Sequence, residues 1–288
     1  MMFVDAKADQ TGSAQRKLIS VDGLRTVSLL GLLLLTSLSA GARESRIEVG
    51  VEQFDWREYD ESGKRLLSET GPRVLIGFER LSGSAGGNSF FSLAVRGYFG
   101  NVDYQGHLQH PNGLLTPYST NTHYWGVAID PRYTVQFLSS RLNFIPSLSL
   151  GVGSELWLRD LRGIYGYKEY YAVGYARFEV GLKSRQPSGW FGRLGIKTPF
   201  LTREKVTGFY LDGACGDVEL VPGGNSTVSF TIGYRLPNRS AVSLGYDGYQ
   251  FSPSPRKEVR CDNQFSGVDI FQPRSEMMLL SVRYSVPL

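Results

Sequence analysis

Imidazoles, hydroxyls and carboxylates crowd one short stretch of this chain. His107, His110 and His123, the three histidines of the sequence, fall within residues 107–123, with Asp103 just upstream. Two or three imidazoles with a carboxylate would suit a zinc-type site. The stretch also carries Pro111, Asn112 and Gly113, which fit no rigid element. It is therefore expected to be a solvated loop that holds no metal and no cofactor. Ser119 and His123 form the nearest nucleophile–base pair in sequence, the minimum that a lipid hydrolase needs. No Gly-x-Ser-x-Gly elbow accompanies them, and His110-Pro111-Asn112-Gly113 is not a His-x-Ser motif. Asp103 with His123 would be the pair for a carboxylate-and-histidine protease. The expectation is a protein without catalysis, with a lipid-modifying hydrolase as an alternative.

The first residues bear on the compartment in which any such chemistry would run. Arg16, Lys17 and Arg25 precede an apolar run from Val27 to Leu35, and Ala40-Gly41-Ala42 offers small residues where a signal peptidase reads them. The run covers about 12 residues, against about 20 for a spanning helix. Residues 1–42 are thus expected to be a signal peptide cleaved after Ala42, and residues 43–288 one exported domain. The formal net charge of +4 is spread in mixed sign without a basic aromatic stripe, which argues against nucleic acid as a partner. Export would leave Cys215 and Cys261 in oxidising surroundings, where a disulfide between them is expected. Closing a loop of ~47 residues would contribute about 4 kcal/mol in the chain-entropy picture.

Beyond Ala42 no stretch is long and apolar enough for a spanning helix, so a membrane could be crossed only by strands whose backbones satisfy one another. The sequence alternates as such strands must. Met278, Leu280, Val282, Tyr284, Val286 and Leu288 hold one phase against Ser281, Arg283 and Ser285. Val228, Phe230, Ile232 and Tyr234, then the turn Pro237–Ser240, then Val242, Leu244 and Tyr246 form a hairpin. Similar runs appear around Ile47–Val51, Val74–Phe78, Phe91–Phe99, Trp125–Phe137, Phe144–Leu158, Ala172–Leu182 and Trp190–Phe200. The expected fold is an all-β, closed antiparallel transmembrane barrel of about ten strands. Aromatic residues near the strand ends (Trp56, Trp125, Phe137, Phe144, Trp157, Trp190, Phe200) are expected to form interfacial girdles. Tight turns around 83–88, 139–142, 184–189 and 237–240 alternate with longer connections around 60–72, 106–122, 160–167, 201–225 and 252–274. The short turns are expected on the periplasmic side and the long loops outside.

If the apolar phase meets lipid, the other phase lines the lumen. Its acids are Glu48, Glu52, Glu79, Asp130, Glu155, Glu179 and Asp247; its bases are Arg96, Arg132, Arg159, Arg177, Arg193, Lys197, Arg235 and Arg283. About eight strands leave just enough room for side chains, so ten strands carrying these residues are expected to be largely occluded by a charge-paired network. A narrow channel weakly favouring anions is the alternative.

At this point the chain resembles the small bacterial outer-membrane β-barrel proteins. The exported start, the even strand count and the terminal strand Met278–Leu288 carry the likeness. That strand resembles the signal read by the barrel-assembly machinery, although it ends in Leu288 where Phe or Trp is usual. Phe54-Asp55-Trp56-Arg57-Glu58-Tyr59 and Val102-Asp103-Tyr104-Gln105-Gly106 resemble segments of uncharacterised members. The resemblance implies an outer-membrane location, contact with lipid and lipopolysaccharide, assembly by that machinery, and a structural or surface-interaction role with an unidentified external ligand. It implies no activity.

Overall fold

The computed structural model describes residues 5–6, 42–83, 87–109, 115–139, 142–163, 166–208, 216–261 and 265–288. Apart from 5–6 and Ala42, the expected signal segment lies outside them, as do His110 and Cys215. The expected Cys215–Cys261 bridge therefore also lies outside the described residues.

Ten strands make the barrel: β1 (Ala42–Tyr59), β2 (Arg65–Ser82), β3 (Ser89–Gln109), β4 (Leu115–Gln136), β5 (Phe144–Leu161), β6 (Lys168–Ser184), β7 (Gly189–Thr207), β8 (Thr227–Arg235), β9 (Ala241–Ser252) and β10 (Arg274–Pro287). Each pairs antiparallel with its chain neighbour. β1 then pairs with β10 from Tyr59↔Arg274 to Arg46↔Pro287. This last pairing closes the sheet and removes its edges.

The outward face carries rows of uncovered apolar side chains. Val51 is 56% exposed, Leu150 63% and Phe200 64%, and equivalents stand on every strand. A continuous apolar band around a closed sheet has hydrocarbon as its natural surroundings, which makes this a transmembrane barrel. Its edges carry Trp125, Phe137, Phe144, Trp190 and Phe200 on the outer face. Two expected girdle residues do not stand there. Trp56 and Trp157 point inward and are buried.

The reason is an inversion of phase. Ile47, Val49 and Val51 face out on β1, but above them the apolar residues Phe54 and Trp56 face in, while Gln53, Asp55 and Arg57 face out. β3 changes likewise from Phe99 outside to Val102 and Tyr104 inside, and β4 from Trp125 outside to Tyr124 inside. Beyond the belt the outer face meets water, so the barrel there is an ordinary sheet with an apolar interior. It forms a crown that stands clear of the hydrocarbon.

The crown corrects the expected long connections. Residues 60–72 were expected as a loop, yet β2 begins at Arg65; β3 runs to Gln109 and β4 starts at Leu115, inside the expected 106–122 loop. The asymmetry between the two barrel ends is carried mainly by strand extensions. The β1–β2 turn is correspondingly tight: Asp60 N–H donates to the Lys64 carbonyl at 2.9 Å and Gly63 takes φ 84°. The Ser62 hydroxyl, donating to the Asp60 carboxylate at 2.6 Å, holds that carboxyl below its ordinary range.

β7 reaches the crown through a bulge. Tyr175 pairs with Pro199 and Gly174 with Leu201, which leaves Phe200 as the extra residue. Lys197 and Pro199 are buried before the bulge, and Thr202, Glu204 and Val206 after it. The alternation therefore changes parity at Phe200, where the expected 201–225 loop begins; the strand continues to Thr207.

Candidate functional site

The lumen is filled at successive levels, beginning at the end that holds Leu288. There Arg96 Nε donates to Glu48 Oε1 at 3.0 Å, and Arg283 Nη1 lies 3.6 Å from the same oxygen. Glu79, Arg193 and Arg235 occupy inward positions at this level and make no ion pair among the described residues.

At mid-barrel the ions are paired. Arg132 reaches Asp130 at 3.1 Å and Glu179 at 2.8 Å. Asp247 accepts from both Arg177 and Lys197 at 2.7 Å. Arg73 meets Glu52 at 2.6 Å and lies over the Phe54 and Tyr98 rings at 4.3 and 4.2 Å. Glu155 is held differently, by phenol hydroxyls: Tyr98 donates at 2.7 Å and Tyr249 at 2.6 Å.

Above these lies an aromatic layer. Trp157 stacks on Tyr171 with ring centroids 4.7 Å apart, and Tyr249 on Phe251 at 5.6 Å. Trp56, Tyr249 and Phe251 keep 0% of their surface accessible. Lys197 Nζ sits 3.5 Å from the Tyr249 centroid, which couples this layer to the ions below it.

The crown closes around Arg159. Its guanidinium donates to Glu69 at 2.8 Å, to Glu169 at 2.7 Å and to Glu58 at 3.3 Å. Glu58 also accepts from Trp56 Nε1 at 3.0 Å. Glu69 accepts from Thr122 at 2.8 Å and from the Tyr124 hydroxyl. Tyr171 donates to Glu169 at 3.1 Å. Glu204, also fully buried, completes a set of four carboxylates. These residues stand beyond the apolar belt. Burial first, then the charges of Glu169 and Glu58, push the Glu204 carboxyl well above the usual carboxylate range. Burial and Glu58 likewise push Glu169 upward, against the pull of Arg159.

Arg159 was legible as a lumen base, but Glu58, Glu69, Glu169, Glu204 and Arg73 were not. The available signal was the inverted apolar phase, with Phe54 and Trp56 on one parity and Ile47–Val51 on the other.

The candidate nucleophile and base are not gathered, whereas Asp103 stands near His123. Ser119 and His123 both point outward on β4, and four residues of strand separate them by ~13 Å. His123 Nδ1 lies 3.0 Å from Arg162 Nη2, opposite Asp160 on β5. Asp103 pairs with Asn121, one diagonal step from His123. His107 is elsewhere, with Nδ1 3.4 Å from the Leu66 carbonyl oxygen.

No protein-family model matches the chain, and no curated protein matches it. Among solved structures it is similar to the outer membrane protease OmpT of Escherichia coli, at 13% identity and TM-score 0.49 over 85% of this chain and 97% of that one. It is also similar to the toluene transporter TodX of P. putida, at 12% identity and TM-score 0.32 over 88% and 92%. The translocator domain of the autotransporter NalP of Neisseria meningitidis stands at 6% identity and TM-score 0.36 over 91% and 96%. The activities of these three proteins belong to them.

Proposed function

We propose that this is a non-enzymatic barrel of a bacterial outer membrane whose plugged lumen carries no solute and whose crown presents a rigid surface to the exterior. The observation that carries the proposal is the aromatic layer of Trp56, Trp157, Tyr171, Tyr249 and Phe251, buried across the lumen directly beneath the Arg159 cluster. Stacked rings and charge-assisted hydrogen bonds hold such a plug without a mobile element. In this reading residues 1–42 are the cleaved signal, the strand ending at Leu288 is read by the assembly machinery, and both termini face the periplasm. Lys168 and Arg203 on the outer face above the belt suit the phosphates of lipopolysaccharide. The separation of Ser119 from His123 supports a role without hydrolysis.

Planar-bilayer recording of the purified barrel tests this directly. The expected result is no unitary current at neutral pH, with steps appearing in a Trp157→Ala/Phe251→Ala variant that still migrates as a folded barrel. Reproducible steps from the unaltered protein would overturn the proposal in favour of a narrow channel.

A further inference from the structure

Below the plug, guanidinium groups outnumber the carboxylates that could neutralise them. Two cavities of about 80 and 60 Å³ share Arg96, Arg193, Thr231 and Arg283 in their walls. The 60 Å³ cavity is lined by Arg96, Arg193, Arg283 and Arg46, the last already paired with Glu44 at 2.7 Å, against Glu48 and Glu79. Glu48 is already divided between Arg96 and Arg283. Arg283 Nε is buried without a hydrogen-bond partner among the described residues, and Arg193 makes no ion pair there.

The strand register explains why Arg193 is left over. Its row reads Gly181, Arg193, Thr231, Gly245, Ser281 across β6 to β10. Those five positions hold no acid, the next one in the row, Glu52 on β1, is taken by Arg73, and small residues flank the guanidinium. A side chain at Gly245 would meet Arg283 Nη2 at 2.2 Å, and one at Gly77 would meet Arg96 Cγ at 3.2 Å. The wall is therefore hollowed where the arginines need space. One water needs ~10–15 Å³ in this measure, so either cavity has room for a small oxyanion with some hydration. Planar guanidinium forks are well suited to bind one.

We propose that Arg96, Arg193 and Arg283 form a binding site for a small oxyanion of the phosphate or sulfate class, entered from the end of the barrel that carries Leu288. Three guanidiniums against Glu48 and Glu79 leave one positive charge in excess, which the anion neutralises.

The test is titration of inorganic phosphate into the refolded barrel in zwitterionic detergent and chloride buffer, followed by calorimetry and phosphorus NMR. One saturable phosphate per barrel is expected. Arg193→Gln should weaken it about tenfold or more, because it removes the guanidinium without a carboxylate partner. Glu48→Gln should tighten it, since that carboxylate competes for Arg96 and Arg283. Lys205→Gln, on the outer wall, should leave it unchanged. Absence of saturable binding, equal binding by Arg193→Gln, or loss in Lys205→Gln would each overturn the site. Should Arg193→Gln not fold, Arg193→Lys keeps the charge without the fork and should bind measurably more weakly; equal affinity overturns the site. Binding is read without a current, so a conducting barrel would defeat the plug and leave this result to stand or fall alone.

Discussion

Arg159 and Glu204 show how one cluster contains groups with opposite effects on stability. Arg159 is satisfied by three carboxylates, and such charge-assisted bonds are stable only while every partner stays in place. Glu204 is the member whose ionisation the site resists. Its carboxyl is pushed well above the usual range by burial and by Glu169 and Glu58. A raised folded-state pKa means that the folded protein holds a proton which the unfolded chain releases near pH ~4.3. The stabilisation is thus complete below that pH and is lost as pH rises toward the folded-state value. Glu204→Gln should remove this slope. Urea unfolding in lipid vesicles is expected to find the variant close to the parent at pH 4 and more stable than it at pH 8. Destabilisation that is larger at pH 8 than at pH 4 would show that Glu204 serves as an ionised acceptor. None of this could be read from residue types, because Glu204 lies beyond Phe200, where the alternation changes parity.

At the scale of elements, most of the barrel was legible and its crown was not. Strands in the belt advertise themselves because every second residue must satisfy lipid, as in Leu148, Leu150 and Val152 on β5. In the crown the contrast weakens and reverses: Trp56 and Tyr104 are the buried residues, and their outward-facing neighbours Asp55 and Asp103 look like loop residues. Arg73 was hidden for a related reason, standing one residue beyond the expected 60–72 connection. The bulge on β7 hid the rest of that strand. It also makes a prediction. Deleting Phe200 would join Pro199 to Leu201 and leave Thr202, Glu204 and Val206 inward, because the bulge residue has no partner of its own. The deletion is therefore expected to preserve the heat-modifiable gel shift of the folded barrel, whereas inserting one alanine after Leu201, which turns Thr202, Glu204 and Val206 outward and Arg203 and Lys205 inward, should abolish it. An insertion variant with a normal shift would mean that the crown tolerates either register.

Over the whole molecule, the belt is uneven. On β4 outward apolar residues run from Trp125 to Val135, with Phe137 beyond, and on β5 from Phe144 to Leu156. On β1 they span only Ile47 to Val51, bounded by Ser45 and Gln53, and on β2 Val74 to Phe78, bounded by Pro72 and Arg80. At ~3.3 Å per residue and a tilt of ~40°, the β4 side is ~25–30 Å tall and the β1–β2 side ~10 Å. No flat bilayer matches both, so lipid must thin beside β1 and β2 or the barrel must lean, each at a cost that grows with mismatch. Folding should therefore be more complete in vesicles of 12-carbon chains than of 18-carbon chains. Gln53→Leu/Thr70→Leu, which adds one outward apolar row on that wall, should shift the preference toward thicker bilayers without changing yield in thin ones. Folded fractions read by gel shift across a chain-length series would decide it, and a series in which parent and variant rise and fall together would mean that the short wall does not govern insertion. The same unevenness bears on the lumen. The thin wall carries Gly50 and Gly77, whose missing side chains give Arg283 and Arg96 their space, so a thinned leaflet and the proposed anion site would occupy the same side of the barrel.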